Sequence, residues 1–216
     1  MLDKIKTDLA PTRTQLVAVS KTKPTSAIQD LYDRGQRIFG ENRVQEMVEK
    51  WEALPRDIEW HLIGHLQRNK VKYIAPFVSL IHSIDSLRLL KEVDKQAQRQ
   101  ERVIDVLLQF HISEETTKFG LELDEARALL DSEDYRAMAH IRVVGVMGMA
   151  TFTDRKEQVR AEFRNLRQIF EELQQSYFDS TPHFFEISMG MSGDYLLAVE
   201  EGSTLVRIGS LLFGAR

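Results

Sequence analysis

Residues 16–24 read LVAVSKTKP, and the unbroken apolar run at their start decides the fold. A strand with one wet face alternates in polarity with a period of two. LVAVS (16–20) does not alternate, and neither does VLLQF (106–110). Runs of this kind mark strands covered on both faces, as in a parallel sheet sandwiched or ringed by helices. Working outward from the first, strands are expected at 16–21, 38–42, 59–64, 79–84, 104–112, 141–149, 183–189 and 205–210. Segments of helical period lie between them. The clearest covers 154–176, where Val159, Phe163, Leu166, Phe170, Leu173 and Tyr177 are spaced 4, 3, 4, 3 and 4 residues apart. Ala27, Ile28, Leu31 and Tyr32 form another such stripe, and Leu87, Leu90, Val93 and Ala97 a third.

Eight strands, each followed by a helix, predict an α/β fold of the (β/α)8 barrel type, for which about 200 residues is the lower limit. The pattern leaves a doubly wound open sheet as the alternative. No linker, low-complexity tract or repeat interrupts the series, so residues 1–216 are expected to form a single domain.

Composition narrows the function classes. The 216 residues are 43% hydrophobic and 29% charged, a globular balance. With 29 Lys and Arg against 33 Asp and Glu, the net charge of −4 gives no electrostatic footprint for nucleic acid. Cysteine is absent, which excludes a disulfide scaffold, a thiolate metal site and a cysteine nucleophile. The first fifteen residues, MLDKIKTDLAPTRTQ, lack the apolar core of a secretory signal, and no apolar run approaches the roughly 18 residues of a membrane span. A cytoplasmic protein without membrane contact is expected.

Three segments could carry chemistry. Lys21 leaves the first strand at the end that forms the ligand-binding face of a parallel α/β fold. Partial burial there disfavours the ammonium form, and a neutral amine can condense with an aldehyde. The bland alternative is one more solvated lysine, and Lys23 is its competitor nearer solvent. The second segment is the pair EISMGMSGDY (186–195) and VRIGSLLFG (206–214), glycine- and serine-rich exits from the last two strands. In (β/α)8 barrels these two loops form a recurrent phosphate site. Ser192 is expected to open a helix with free N–H groups, with Gly209 and Ser210 adding an amide and a hydroxyl. Two ordinary turns with helix caps would look the same. The third is Arg207: if Val206 and Ile208 face the helices, Arg207 points into the barrel, toward either a structural ion pair or a ligand atom.

Two further stretches say less. His61 and His65 in WHLIGHLQRNK (60–70) straddle a strand end without a carboxylate at metal-ligand spacing, a weak zinc signal. Asn42 in FGENRVQE (39–46) sits at a strand end, as a helix cap or a ligand contact.

Taken together and in order, AVSKTKP, FGENRVQE, WHLIGHLQRNK, TTKFG (116–120), GVMGMA (145–150), SMGMSGD (188–194) and VRIGSLLFG resemble the family of pyridoxal 5′-phosphate (PLP) homeostasis proteins, whose fold is that of the N-terminal barrel domain of alanine racemase. The resemblance spans nearly the whole chain. It implies that PLP is the cofactor, held as a covalent aldimine on Lys21. It implies that Asn42 and Met147 line the ring pocket, that Ser188, Gly190, Ser192, Gly209 and Ser210 surround the phosphate, and that Arg207 meets the pyridine nitrogen. Two positions depart from the pattern: His111 stands where relatives often have Asn, and Ala150 where Pro is common.

The same resemblance bears on turnover. Most PLP enzymes place a carboxylate beside the ring nitrogen to keep it protonated and electron-accepting. An arginine there is a permanent cation and donor, which weakens the electron sink. Racemases that tolerate it bring a tyrosine base from a second domain across a dimer. No such domain is read in these residues, and Tyr195 is a poor substitute. The expectation is therefore a monomeric PLP carrier or regulator without catalytic residues, acting on vitamin B6 and amino-acid pools and passing cofactor to apo-enzymes that need PLP. A weak PLP-dependent racemase is the alternative.

Overall fold

Burial on both sides explains why the runs at 16–20 and 106–110 are apolar throughout. Val17 points into the interior of a closed sheet, among Leu80, Leu107, Val144, Met147 and Leu205. Leu16 and Ala18 face the other way and join the larger core shared with the helix residues Leu2, Ile5, Ile28 and Leu31. Burying each such side chain stabilises the fold by about 1.5–3 kcal/mol.

The structure, a computed structural model, describes residues 1–115 and 119–214. Among these, β1 (Gln15–Val19), β2 (Ile38–Glu41), β3 (Glu59–Leu62), β4 (Leu80–Ile84), β5 (Ile104–Phe110), β6 (Ile141–Gly148), β7 (Glu186–Met191) and β8 (Leu205–Ile208) form a closed parallel barrel in sequence order. The ring closes where β8 pairs with β1, with Val17 opposite Arg207. Closure excludes the open-sheet alternative. Around the barrel run α1 (Leu2–Leu9), α2 (Thr25–Asp33), α3 (Val44–Ala53), α4 (Val71–Ile74), α5 (Leu87–Arg99), α6 (Leu123–Asp131), α7 (Glu133–Arg136), α8 (Lys156–Tyr177), α9 (Tyr195–Glu200) and α10 (Ser210–Phe213). No helix among the described residues is long and apolar enough to cross a membrane.

The expected strands all form, with displaced ends. The largest displacement is at β7, which starts at Glu186 rather than 183. Phe184 is drawn out of the sheet to stack between Phe170 and Phe178, at centroid distances of 4.9 and 4.1 Å, in a turn closed by its own N–H donating to the Thr181 carbonyl. The stripe expected at 154–176 forms α8, burying Val159, Phe163, Leu166, Phe170 and Leu173. Its start slips to Lys156 because 151–154 serve another purpose: Glu162, one turn inside the helix, accepts both the N–H and the hydroxyl of Thr151 at 2.6 Å. The chain ahead of the helix is thereby tied down as a wall at the barrel mouth.

Candidate cofactor site

Where the strands end, residues 21–23 after β1, Asn42 after β2, Ile63 after β3, 149–154 after β6, Met191 at the end of β7 with 192–194 after it, and 209–211 after β8 enclose a cavity of about 600 Å3, with Arg207 reaching in from β8. A site at this face follows from parallel topology, which gathers every strand-to-helix loop at one end. Six of the residues expected from sequence meet here: Lys21, Asn42, Ser192, Arg207, Gly209 and Ser210.

Asn42 is not a helix cap. The residue preceding α3 is Arg43, and no side chain caps that helix. Gly64 explains why Asn42 stays close to β3, since a Cβ at Gly64 would lie 2.4 Å from the Asn42 carbonyl oxygen. Ser192 is not a cap either; Asp194 holds that position before α9 and instead accepts the Met191 N–H at 2.5 Å. The Ser192 hydroxyl accepts the N–H of Gly209 at 3.3 Å, joining the last two loops and keeping its own hydrogen available to a ligand.

The other three expected residues lie elsewhere. Met147 is fully buried in the interior cluster, one inward layer below Met149, which takes the place at the cavity. Inward side chains on a strand recur every second residue, so a shift of two moves a residue about one layer down. Ser188 is likewise deeper and contacts Arg207 rather than the cavity. Gly190 has a packing role: at φ +93 its missing side chain lets α9 close on β7, and a Cβ there would sit 2.5 Å from the Ala198 Cβ. His111 turns its ring to the loop after β5, with Nε2 2.8 Å from the Glu115 carbonyl, and does not line the cavity. Residues 116–118 of the TTKFG block lie outside the described residues.

Arg207 points inward as the alternation on β8 requires, while Val206 and Ile208 join the outer core. Its NH1 donates to Ser188 Oγ at 2.5 Å and its NH2 to the Gly148 carbonyl at 3.0 Å. Both acceptors are neutral. Burial pulls the guanidinium down to about 10, opposed by Asp194 through space, so it remains a cation at neutral pH. A guanidinium has five N–H donors, and two are used. A buried cation hydrogen-bonded only to neutral groups favours an electron-rich ligand atom beside it.

Behind Arg207 runs a hydrogen-bonded chain that sequence reading missed. Ser188 Oγ lies 2.9 Å from His82 Nδ1, and His82 Nε2 lies 3.0 Å from His61 Nδ1. Burial pushes the His61 imidazole down to about 3 and holds His82 well below its ordinary range, with His61 and Arg207 adding to the effect on His82. Both rings are therefore neutral near pH 7. Arg207 can only donate, so the arrangement that uses every proton sends the Ser188 O–H to His82 Nδ1 and the His82 Nε2–H to His61. The signal for His82 was present in LIHSI (80–84), an imidazole in the inward phase of a strand whose residues are all buried.

Two other groups near the face are committed elsewhere. Tyr195 points away from the cavity, donating to Asp8 Oδ2 at 2.7 Å, and burial raises its hydroxyl to about 12. Lys23 Nζ donates to the Phe213 carbonyl at 3.0 Å.

Comparison with known proteins identifies the fold and the family. Residues 2–216 match the family model described as alanine racemase, N-terminal domain. A protein of Aquifex aeolicus (strain VF5) named pyridoxal phosphate homeostasis protein is 44% identical over 203 residues, covering 94% of this chain and 87% of its own. The structure of PipY from Synechococcus elongatus PCC7942 without PLP superposes with a TM-score of 0.91 at 37% identity, covering 99% of this chain and 98% of that one. The PLP-bound form of PipY gives 0.87 at 36% identity with the same coverage. The barrel, the order of the sequence blocks and these relatives together place the chain in the pyridoxal phosphate homeostasis protein family, built on the fold of the alanine racemase N-terminal domain.

Proposed function

We propose that this protein holds PLP as a Schiff base on Lys21 and acts as a carrier or regulator of the cytoplasmic PLP pool, without turnover and with residues 1–216 as one working unit. The observation that carries the reading is the buried Arg207 cation opening onto the same cavity as Lys21. PipY, its relative across nearly the whole chain, has a structure with PLP bound.

The residues divide the work by chemistry. Lys21 supplies the amine at one side of the cavity. Ser192, Ser210 and the Gly209 region supply hydroxyl and amide groups from the loops after β7 and β8, suited to a phosphomonoester. Asn42 and Met149 flank the space between. PLP, when bound, supplies an aldehyde that captures amines and a ring nitrogen whose protonation sets how much carbanion charge the ring accepts. Arg207, positively charged and donor-only, keeps a proton off an acceptor nitrogen placed beside it. The chain from Ser188 through His82 to His61 fixes the guanidinium in that role without bringing a carboxylate. Tyr195, engaged by Asp8, is not available as the second base that racemisation requires. These features favour holding the cofactor over transforming amino acids, and an apo-enzyme that needs PLP is the partner such a carrier serves.

The deciding experiment combines three measurements on the purified protein loaded with PLP. Borohydride reduction followed by peptide mapping is expected to place the adduct on Lys21. Incubation with an apo-enzyme is expected to restore its activity at the carrier's expense. Amino acids in deuterated water are expected to show no exchange at the α-carbon. Exchange would establish the racemase-type alternative, and failure to transfer would remove the carrier role.

Replacing both Ser192 and Ser210 with Ala should weaken PLP binding while leaving Lys21 able to react. Hydrogen bonds to a charged group contribute about 1.5–3 kcal/mol each, so the pair should raise the dissociation constant about 100-fold or more. Titration by absorbance checks this, and an unchanged constant would refute the assignment of the phosphate end.

A further inference from the structure

Lys21 lies between two residues that are anchored from outside the barrel. On one side, the Ser20 hydroxyl donates to Glu41 Oε1 at 2.6 Å, and the Ser20 carbonyl accepts from Lys50 Nζ at 2.8 Å. On the other, the Thr22 N–H donates to Glu46 Oε1 at 2.5 Å. The two anchors are themselves joined, because Lys50 Nζ also donates to Glu41 Oε1 at 2.7 Å and to Glu46 Oε1 at 2.6 Å. Lys50 and Glu41 are buried, with side-chain exposures of 6% and 0%. All three charged residues come from β2 and α3, the FGENRVQE block and the helix it opens.

An ion cluster of this kind is costly to bury and is weak evidence of stability by itself. Its placement suggests another use. Thr22 has φ +65, the left-handed region, which an L-residue with a branched Cβ enters only under constraint. The Glu46 bond to its N–H is such a constraint, and the Lys23 N–H closing on the Ser20 carbonyl at 3.0 Å completes the turn. Lys21 sits at the centre of that turn. An amine that must meet an aldehyde, while the phosphate of the same molecule is fixed by the loops after β7 and β8, gains from a backbone held in one conformation.

We propose that Glu46 and Lys50 are positioning residues for Lys21, holding the strained turn at 20–23 so that the amine faces the cavity. This rests on the reading of Lys21 as the PLP anchor. Once the turn is released, the strain at one left-handed residue corresponds to a factor of about ten in the population of the competent conformer.

Glu46 is the residue to vary, because its side chain is 20% exposed and Lys50 keeps Glu41 as a partner when Glu46 is lost. Lys50→Met would strand Glu41, whose Oε2 already has no hydrogen-bond partner, and would test folding instead. Glu46→Ala and Glu46→Gln are compared with the parent by PLP titration, by borohydride mapping and by melting temperature without PLP. Glu46→Ala is expected to bind PLP about tenfold more weakly and to keep its melting temperature within a few degrees. Glu46→Gln, which retains an oxygen for the Thr22 N–H, is expected to bind as the parent does. Unchanged binding in Glu46→Ala overturns the proposal. So do equal losses in both variants, which would make charge rather than the bond to Thr22 responsible, and so does a drop in melting temperature with no loss of binding. If the parent itself gives no adduct on Lys21, the functional reading fails first, a result separate from any behaviour of Glu46.

Discussion

Replacing Lys21 with alanine should abolish the yellow colour of the PLP-loaded protein, and borohydride should then leave no pyridoxyl group on the chain. The expectation follows from where the two candidate amines stand. Lys21 borders the cavity at the end of β1, beside the β8 loop that carries Ser210 and sharing the cavity with Ser192. Lys23, two residues on, also borders it, but its Nζ donates to the carbonyls of Phe213 and Gly214 at 3.0 and 3.4 Å. Those bonds turn the Lys23 amine toward the C-terminal segment. Lys23 therefore ties down the C-terminal segment, and its loss should loosen that segment and leave the adduct on Lys21. The Lys21 side chain is not part of either core cluster, so Lys21→Ala should fold like the parent. Circular dichroism and melting temperature check the fold, and peptide mapping checks the adduct. A surviving adduct on Lys23 would refute the assignment of the anchor.

The second large effect concerns acid. His61 and His82 are buried as neutral rings, with His61 pushed down to about 3 and His82 far below its ordinary value. In the unfolded chain both return to about 6.5. Between 6.5 and the folded values the unfolded state binds protons that the native state refuses, so stability rises with pH. The full contribution is present above about pH 6.5 and is lost as the solution is acidified toward 3. At pH 5, 1.5 units below the unfolded value, His61 alone costs about 2 kcal/mol, and His82 adds to the loss in the same direction. Glu41 and Glu186 work in the opposite direction, since burial raises both carboxyls and the native state takes up their protons first. The histidine part is isolated by comparing the parent with His82→Gln in urea unfolding at pH 7.5 and pH 5. The variant should lose less stability than the parent on acidification. Parallel losses in the two proteins would show that His82 is not held neutral in the fold.

The strands were legible because burial on both faces leaves a local mark, an apolar run with no alternation, and eight such runs with helical stripes between them define the barrel. Strand ends were legible as well, and with them Lys21, Asn42, Ser192, Gly209 and Ser210, since in a parallel fold every strand end delivers its residues to one face. Depth was not. Met147 and Ser188 lie one layer below the cavity lining, because depth depends on the stagger between strands. The register shifts between Val106 and Leu107 on β5, and between Ser188 and Met191 on β7, cannot be counted from one strand alone. Phe184 shows the converse, a residue that fits a strand pattern and is taken out of the sheet by two aromatic rings.

By itself the chain of residues determined which segments become strands and helices, that the sheet is parallel and covered, and which loops share the ligand face. These properties follow from neighbours a few positions apart, whose periodicity fixes the buried side of each element. Tertiary structure alone decided that Arg207 is bonded to Ser188 and Gly148 instead of a carboxylate, that His82 and His61 stand behind it, and that Glu46 holds the turn around Lys21. Those contacts join residues 19, 59, 106, 21 and 24 positions apart. Only the curling of the sheet into a closed barrel, with its particular stagger between strands, brings such distant groups within hydrogen-bond distance, and no local pattern encodes it.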